Sequence, residues 1–310
     1  MSKIILLLIG SLLIQSCMQA PLRRSGSRYP RYAQPYKKPV RGFDQVKKKV
    51  ALLPFFNESV YGKEDLAITA TEEFRNELSR ARDYIFDDEG ASIFGSSKDI
   101  YSGGGLKLAT LARKAKLAGL NLVIYGRITR AKVNQKSDEI GIVRETKSFA
   151  ESELEVKVFD VQANKEIYSG KKDGNINDSA HKLFNAQKEE ALDYRRGLLR
   201  YSIKVATRRF IPDIARLGAK LDWTGRVAKI IGSKIYLNAG RVSGLNVGDI
   251  LRVLTEGSDI FDPETGAMLG VSQGQVKGTL EIIDYFGEDG AVAVLHSGGS
   301  VTEGDFVQLY

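Results

Sequence analysis

The chain has 310 residues, a formal net charge of +8 and 43% apolar residues, a globular balance with length for two ordinary domains. One cysteine excludes an internal disulfide framework, and two histidines, His181 and His296, lie too far apart in sequence to suggest a zinc spacing. Beyond the N-terminus no stretch is long and apolar enough to read as a membrane-spanning helix.

Met1-Ser2-Lys3 supplies one positive charge, and Ile4 to Ile14 is an apolar run. A spanning helix needs about 20 such residues, so this run matches the h-region of a cleavable signal. Leu12-Leu13-Ile14-Gln15-Ser16-Cys17 has the small residue and the thiol of a lipobox. Residues 1–16 are therefore expected to be a lipoprotein signal peptide, with Cys17 the lipid-bearing first residue of the mature chain. A thioether-linked diacylglycerol must be built on sulfur. Each buried methylene contributes about 0.8 kcal/mol, so several palmitate-length chains hold firmly where one does not. A plain secretory signal with a coincidental cysteine is the alternative. Met18, rather than Asp, follows the cysteine. By the enterobacterial sorting pattern this predicts an outer-membrane anchor with the folded part in the periplasm.

Residues 17–44 read as a tether. Met18 to Gly42 holds Pro21, Pro30, Pro35 and Pro39, with Tyr29, Tyr32 and Tyr36 among seven Lys/Arg and no acid. Such a composition buries too little apolar surface to offset chain entropy. As a flexible coil it spans roughly 30 Å. Basic residues beside a lipid anchor fit anionic headgroups or wall polymer, or a merely soluble spacer.

Residues 45–220 read as an α/β domain. Lys49 to Asn57 is a nearly continuous apolar run after a lysine cluster, the pattern of a strand covered on both faces, with Pro54 marking an irregular end. Glu64 to Ala81 carries Leu66, Ala70, Phe74 and Leu78 on one helical stripe, with Asp65 a candidate N-cap. Tyr84-Ile85-Phe86 predicts a short strand, and Leu106 to Ala118 a helix ending at Gly119. Leu120 to Ile128 predicts a buried strand, and Glu153 to Val161 a hairpin with Glu166-Ile167-Tyr168. Ala186 to Phe210 predicts a long helix with Leu192, Leu199, Ile203, Ala206 and Phe210 facing the core. Arg196, Arg200, Lys204 and Arg208 recur at every fourth position. Like charges at that spacing repel by roughly 0.2–0.5 kcal/mol per pair, so an acidic partner surface would relieve them. A solvated face balanced by Glu189 and Glu190 is the alternative.

The run Val50 to Phe55, the early helix, Leu111-Ala112 through Ala118-Gly119 into Val123 to Gly126, and the Leu154–Ile167 hairpin together resemble one envelope group. It contains the curli secretion lipoprotein CsgG, the penicillin-binding protein activator LpoB and the middle part of flagellar assembly protein T. The resemblance implies a sandwich-like α/β domain of the curli-secretion or TolB N-terminal kind.

Residues 221–310 change character. They hold fifteen of the 31 glycines and six basic against twelve acidic residues, leaving the mature remainder strongly basic. That asymmetry favours head-to-tail attraction between domains or subunits. Arg226 to Ile231 and Lys234 to Leu237 flank Gly232-Ser233, a two-residue hairpin loop. Asp249 to Leu254 follows Gly248, and Asp262-Pro263-Glu264-Thr265-Gly266 is a turn. Val276 to Ile283, Ala291 to Leu295 and Asp305 to Leu309 complete a set of short strands that predicts a small barrel or sandwich. Gly225-Arg226-Val227, Ile235 to Gly240, Gly244 to Asp249 and Asp262 to Gly266, with a second Gly-Asp step at Gly304-Asp305, resemble the C-terminal domain of flagellar assembly protein T. In that family the folded parts belong to a periplasmic ring at the flagellar base. A lipobox cysteine and a proline-rich tether depart from it. The fold class expected is α+β, an α/β sandwich-like domain followed by a small barrel.

Neither histidine sits near a nucleophile-elbow motif. Asp87-Asp88-Glu89 lacks calcium-loop spacing and reads as a solvated turn. Ser102-Gly103-Gly104-Gly105 lacks the Lys-Ser/Thr of a phosphate loop and reads as a flexible loop. No enzyme, cofactor, metal or nucleic-acid partner is expected. The leading expectation is a structural or assembly lipoprotein working by protein contact, with a homo-oligomer or a flagellar basal-body complex as candidate settings. A regulator of peptidoglycan synthesis is the alternative. A curli-type secretion channel would need longer alternating strands than Thr129 to Ser148 displays.

Overall fold

The computed structural model describes residues 46–137, 146–177, 192–266 and 268–310; Cys17, the tether, His181, Glu189 and Glu190 lie outside them. Residues from Phe43 onward form one compact unit.

The run Val50-Ala51-Leu52-Leu53 sends side chains to two covered faces. Strand β1 (Lys48–Leu52) lies between the parallel strands β3 (Tyr84–Phe86) and β4 (Leu122–Ser137). Strands β5 (Thr146–Asp160) and β6 (Lys165–Asn177) continue the sheet antiparallel, and β2 (Phe56–Asn57) flanks β4. Helices α1 (Lys63–Ser79), α4 (Leu192–Arg208) and α5 (Ile211–Lys220) cover one face, with Phe74, Ile203 and Phe210 packed on Leu52, Ile124 and Val156. Helices α2 (Asp88–Ser92) and α3 (Ser97–Ala118) cover the other, with Phe94, Leu108 and Ala112 on Leu53, Val123 and Phe159. The result is a three-layer α/β/α sandwich.

Several local expectations are corrected. Asp65 is not the N-cap of α1: Gly62, at φ +77°, takes that position, and Asp65 lies in the first turn. Ser102 to Gly105 are helical rather than a loop, because a capping box starts α3 earlier. Ser96 accepts from the Asp99 N–H, and the Asp99 carboxylate accepts from the Ser96 N–H. Helix propensity is a weak preference that such caps and the burial of Ile100 override. Asp87, expected in a solvated turn, instead caps α2 by accepting from Gly90 N–H at 2.8 Å. Pro212 opens the unexpected helix α5, where its missing N–H costs nothing.

From Gly225 the chain forms a closed six-stranded barrel. Its strands are β7 (Gly225–Ile231), β8 (Lys234–Leu237), β9 (Ile250–Leu254), β12 (Val276–Phe286), β13 (Gly290–Gly298) and β14 (Phe306–Leu309), in the order β12-β13-β8-β7-β14-β9. Gly232, at φ +60°, turns β7 into β8. Strands β10 (Asp259–Phe261) and β11 (Met268–Val271) form a separate two-stranded sheet. The barrel core gathers Val227, Leu237, Leu251, Leu280 and Ile282, and it also takes in Trp223 and Val46. Val46 lies just upstream of β1, so one segment is buried in both parts of the fold.

Candidate interaction site

The basic row on α4 meets an acidic row on α1. Arg200 grips both oxygens of Asp65, at 3.0 and 2.5 Å. Glu73, only 8% exposed, lies 3.5 Å from Lys204 and 3.1 Å from Arg208, and Arg208 also donates to Glu77 at 3.0 Å. Arg196 reaches the exposed Asp193 at 3.8 Å. The repulsion expected along α4 is thus relieved from a neighbouring helix. Hydrogen bonds from Arg200 hold the Asp65 carboxyl below the usual carboxylate range.

Strands β4 and β5 run longer than the sandwich needs, 16 and 15 residues. One face of this ribbon carries Arg127–Glu155, Arg130–Glu153 and Lys132–Glu151 ion pairs at 2.7, 3.4 and 3.3 Å, the first with Arg127 stacked on Tyr101 of α3. The opposite face of the ribbon sends Ile128, Ala131, Ala150 and Leu154 into the core shared with α4, so its apolar side is covered by protein.

The lysine cluster fastens the two parts of the fold together. Lys48, 3% exposed, donates to the Gly218 carbonyl near the end of α5 at 2.7 Å, and burial pushes the pKa of its ammonium down. Lys49 points the other way, donating to the Asn238 carbonyl at 2.5 Å with Asp289 at 3.7 Å. Asn121 accepts from Lys49 N–H and donates to Thr224. A cleft of about 380 Å³ lies here, lined by Lys48, Lys116, Asp160, Thr224, Glu256 and Gln308 among others.

A hairpin arm on the barrel carries several exposed apolar side chains. Antiparallel β9 and β12 narrow to a neck, where Thr255 N–H donates to the Gln275 carbonyl at 2.9 Å and Ser272 N–H to the Ser258 carbonyl at 2.8 Å. A Cβ on Gly257 would stand 1.8 Å from the Ser272 carbonyl oxygen, and one on Gly274 1.8 Å from that of Thr255, so the crossing requires glycine. Beyond the neck, β10 and β11 carry Ile260, Phe261 and Leu269, which are 47%, 55% and 60% exposed. The tip is the expected turn. The Asp262 carboxylate accepts from Thr265 and Glu264 N–H at 2.7 and 2.9 Å, and Gly266 sits at φ +66°. Those hydrogen bonds, Thr265's first, hold the Asp262 carboxyl below its usual range.

Sequence reasoning found the arm's turn but not its strands, which are three and four residues long. The usable signal was Ile260-Phe261 and Met268-Leu269 flanking the turn. His296 is exposed on β13 with Glu281 3.6 Å away. Among the described residues no group of three or more His, Cys, Asp or Glu is arranged to hold a metal ion.

The arrangement defines an α+β protein, a sandwich joined to a closed barrel that carries a projecting arm. No protein-family model matches the sequence, and no curated protein matches it. Among solved structures, the chain is similar to the hypothetical protein CT253 from Chlamydia trachomatis, at 17% identity over 56% of this chain and 99% of that one, TM-score 0.38. It is similar to lipoprotein GNA1162 from Neisseria meningitidis, at 15% identity over 55% and 99%, TM-score 0.32. It is also similar to the LpoB C-terminal domain from Salmonella enterica, at 19% identity over 43% and 84%, TM-score 0.27.

Proposed function

We propose that this chain is a lipid-anchored protein of the bacterial envelope that works by binding other proteins. Cys17 holds it in the outer membrane, the tether carries the folded unit into the periplasm, and the barrel arm makes the contact. The arm is the observation that carries the reading. Ile260, Phe261 and Leu269 are 47%, 55% and 60% exposed on one hairpin. Apolar side chains grouped on a projecting element gain from a partner that removes them from water. Service to a flagellar-base complex is the finer reading. Its support is that both Gly-Asp steps place a left-handed glycine shortly before a barrel strand, Gly248 at φ +87° before β9 and Gly304 at φ +91° before β14.

Two variants test the proposal in cells. Cys17→Ser should move the chain from the membrane pellet to the soluble envelope fraction. Phe261→Asp should leave it membrane-bound but reduce its native electrophoretic size from that of a complex toward that of a single mature chain. Membrane retention of the first, or an unchanged complex for the second, contradicts the proposal.

A further inference from the structure

We infer that the arm docks on a second copy of this chain, against the basic outer face of α3. This rests on the arm being a contact element, and it names the partner. Residues 255–275 contain Glu256, Asp259, Asp262 and Glu264 and no lysine or arginine. The arm therefore exposes apolar side chains among anionic ones. Two arms laid together would oppose like charges, and an anionic lipid surface would repel the same carboxylates. The complement is an exposed apolar group bordered by cations.

The chain carries that complement itself. Leu117 on α3 is 66% exposed. Arg113 and Lys114, also exposed, precede it by four and three residues, so all three share one helical face. The same helix already pairs with the arm's acidic neck within one molecule, where Lys116 Nζ lies 3.9 Å from Glu256. The wider charge distribution points the same way, with twelve acids against six bases from residue 221 onward and a basic excess before it. The arm's base, with Glu256, Gly257 and Asp259, lines a cleft with Arg113 and Lys116 of its own chain, whereas Phe261 on the arm and Lys114 and Leu117 on α3 lie outside that cleft. Each contact then leaves a free arm at one end and a free α3 at the other, so the assembly extends or closes into a ring. The contact joins exposed charges of opposite sign, so salt should weaken it.

The test uses full-length chains in the membrane. Leu117→Cys and Phe261→Cys are placed on separate, differently tagged chains, co-expressed and oxidised. The expected result is a mixed-tag disulfide dimer, absent when either variant is expressed alone. Lys114→Glu should cut its yield severalfold, and Glu264→Lys on the arm-bearing chain should restore it. Restoration excludes misfolding as the cause of the loss. A dimer from Phe261→Cys alone overturns the inference in favour of arm on arm. Capture of Phe261→Cys by a different protein, with no mixed dimer, overturns the second copy while sparing the interaction reading. No adduct of any kind overturns the second copy, and the native size of Phe261→Asp then decides the interaction reading.

Discussion

Gly174 on β6 sets how closely α4 lies on the sheet, and Gly174→Ala measures what that approach contributes. A Cβ there would stand 1.8 Å from the Ser202 carbonyl oxygen and 2.9 Å from the Ala206 nitrogen. Both belong to the backbone of α4, so no side chain can swing aside. Restoring ordinary contact means lifting α4 by roughly 1.5 Å, which loosens Leu199, Ile203, Ala206 and Phe210 from the core they share with Leu154 and Ile176. Overpacking of this kind costs about 1–3 kcal/mol, and a backbone clash belongs at the upper end. At about 2–4 °C per kcal/mol for a unit of this size, the thermal midpoint should fall by roughly 6–12 °C, read by far-ultraviolet circular dichroism. Gly170 on the same strand is the control. Its added Cβ would meet the Tyr168 hydroxyl at 2.5 Å, the end of a side chain that can move. Gly170→Ala should cost far less. Equal losses, or a Gly174→Ala midpoint within about 2 °C of the parent, would refute the packing argument.

Asp289 accepts from Gly240 N–H and Ser243 N–H, each at 2.9 Å, and from the Ser243 hydroxyl. Asp289→Ala should therefore destabilise by about 3 kcal/mol in urea unfolding, with Asp289→Asn recovering part of it. Arg200→Ala should cost only about 0.5 kcal/mol at neutral pH, because the Asp65 bridge is solvent-screened. Since the folded Asp65 carboxyl titrates below its unfolded value, the bridge contributes above pH ~4 and is lost as pH falls through the folded value. The parent and variant stability curves should merge in acid, and a gap that persists there would count against the bridge. Glu73→Lys would place a buried cation beside Lys204 and Arg208 and should cost about 3 kcal/mol or more, measured by thermal unfolding.

What sequence alone could show was set by how local each cause is. Val50-Ala51-Leu52-Leu53 reads as a doubly covered strand because burial on both faces leaves no polar alternation. The Leu66-Ala70-Phe74-Leu78 stripe and the glycine turns of the barrel are equally local. Lys48 and Lys49 resemble ordinary charges before a strand, and only the fold sends one to α5 and the other to the barrel. The counter-charges for Arg200, Lys204 and Arg208 lie far away in sequence on α1, so no helical spacing could reveal them. The glycine run inside α3 was misread because the capping box that starts the helix lies upstream of it. The arm was missed because its strands are too short for periodicity to register.

The account depends most on the arm being a contact element in the living envelope. A photoreactive amino acid placed at Phe261, with one at Ile283 on the barrel wall as control, tests this directly. The account predicts a discrete protein adduct from position 261 on irradiation of intact cells, and little from 283. Equal, diffuse labelling from both positions, or none from 261, would contradict it.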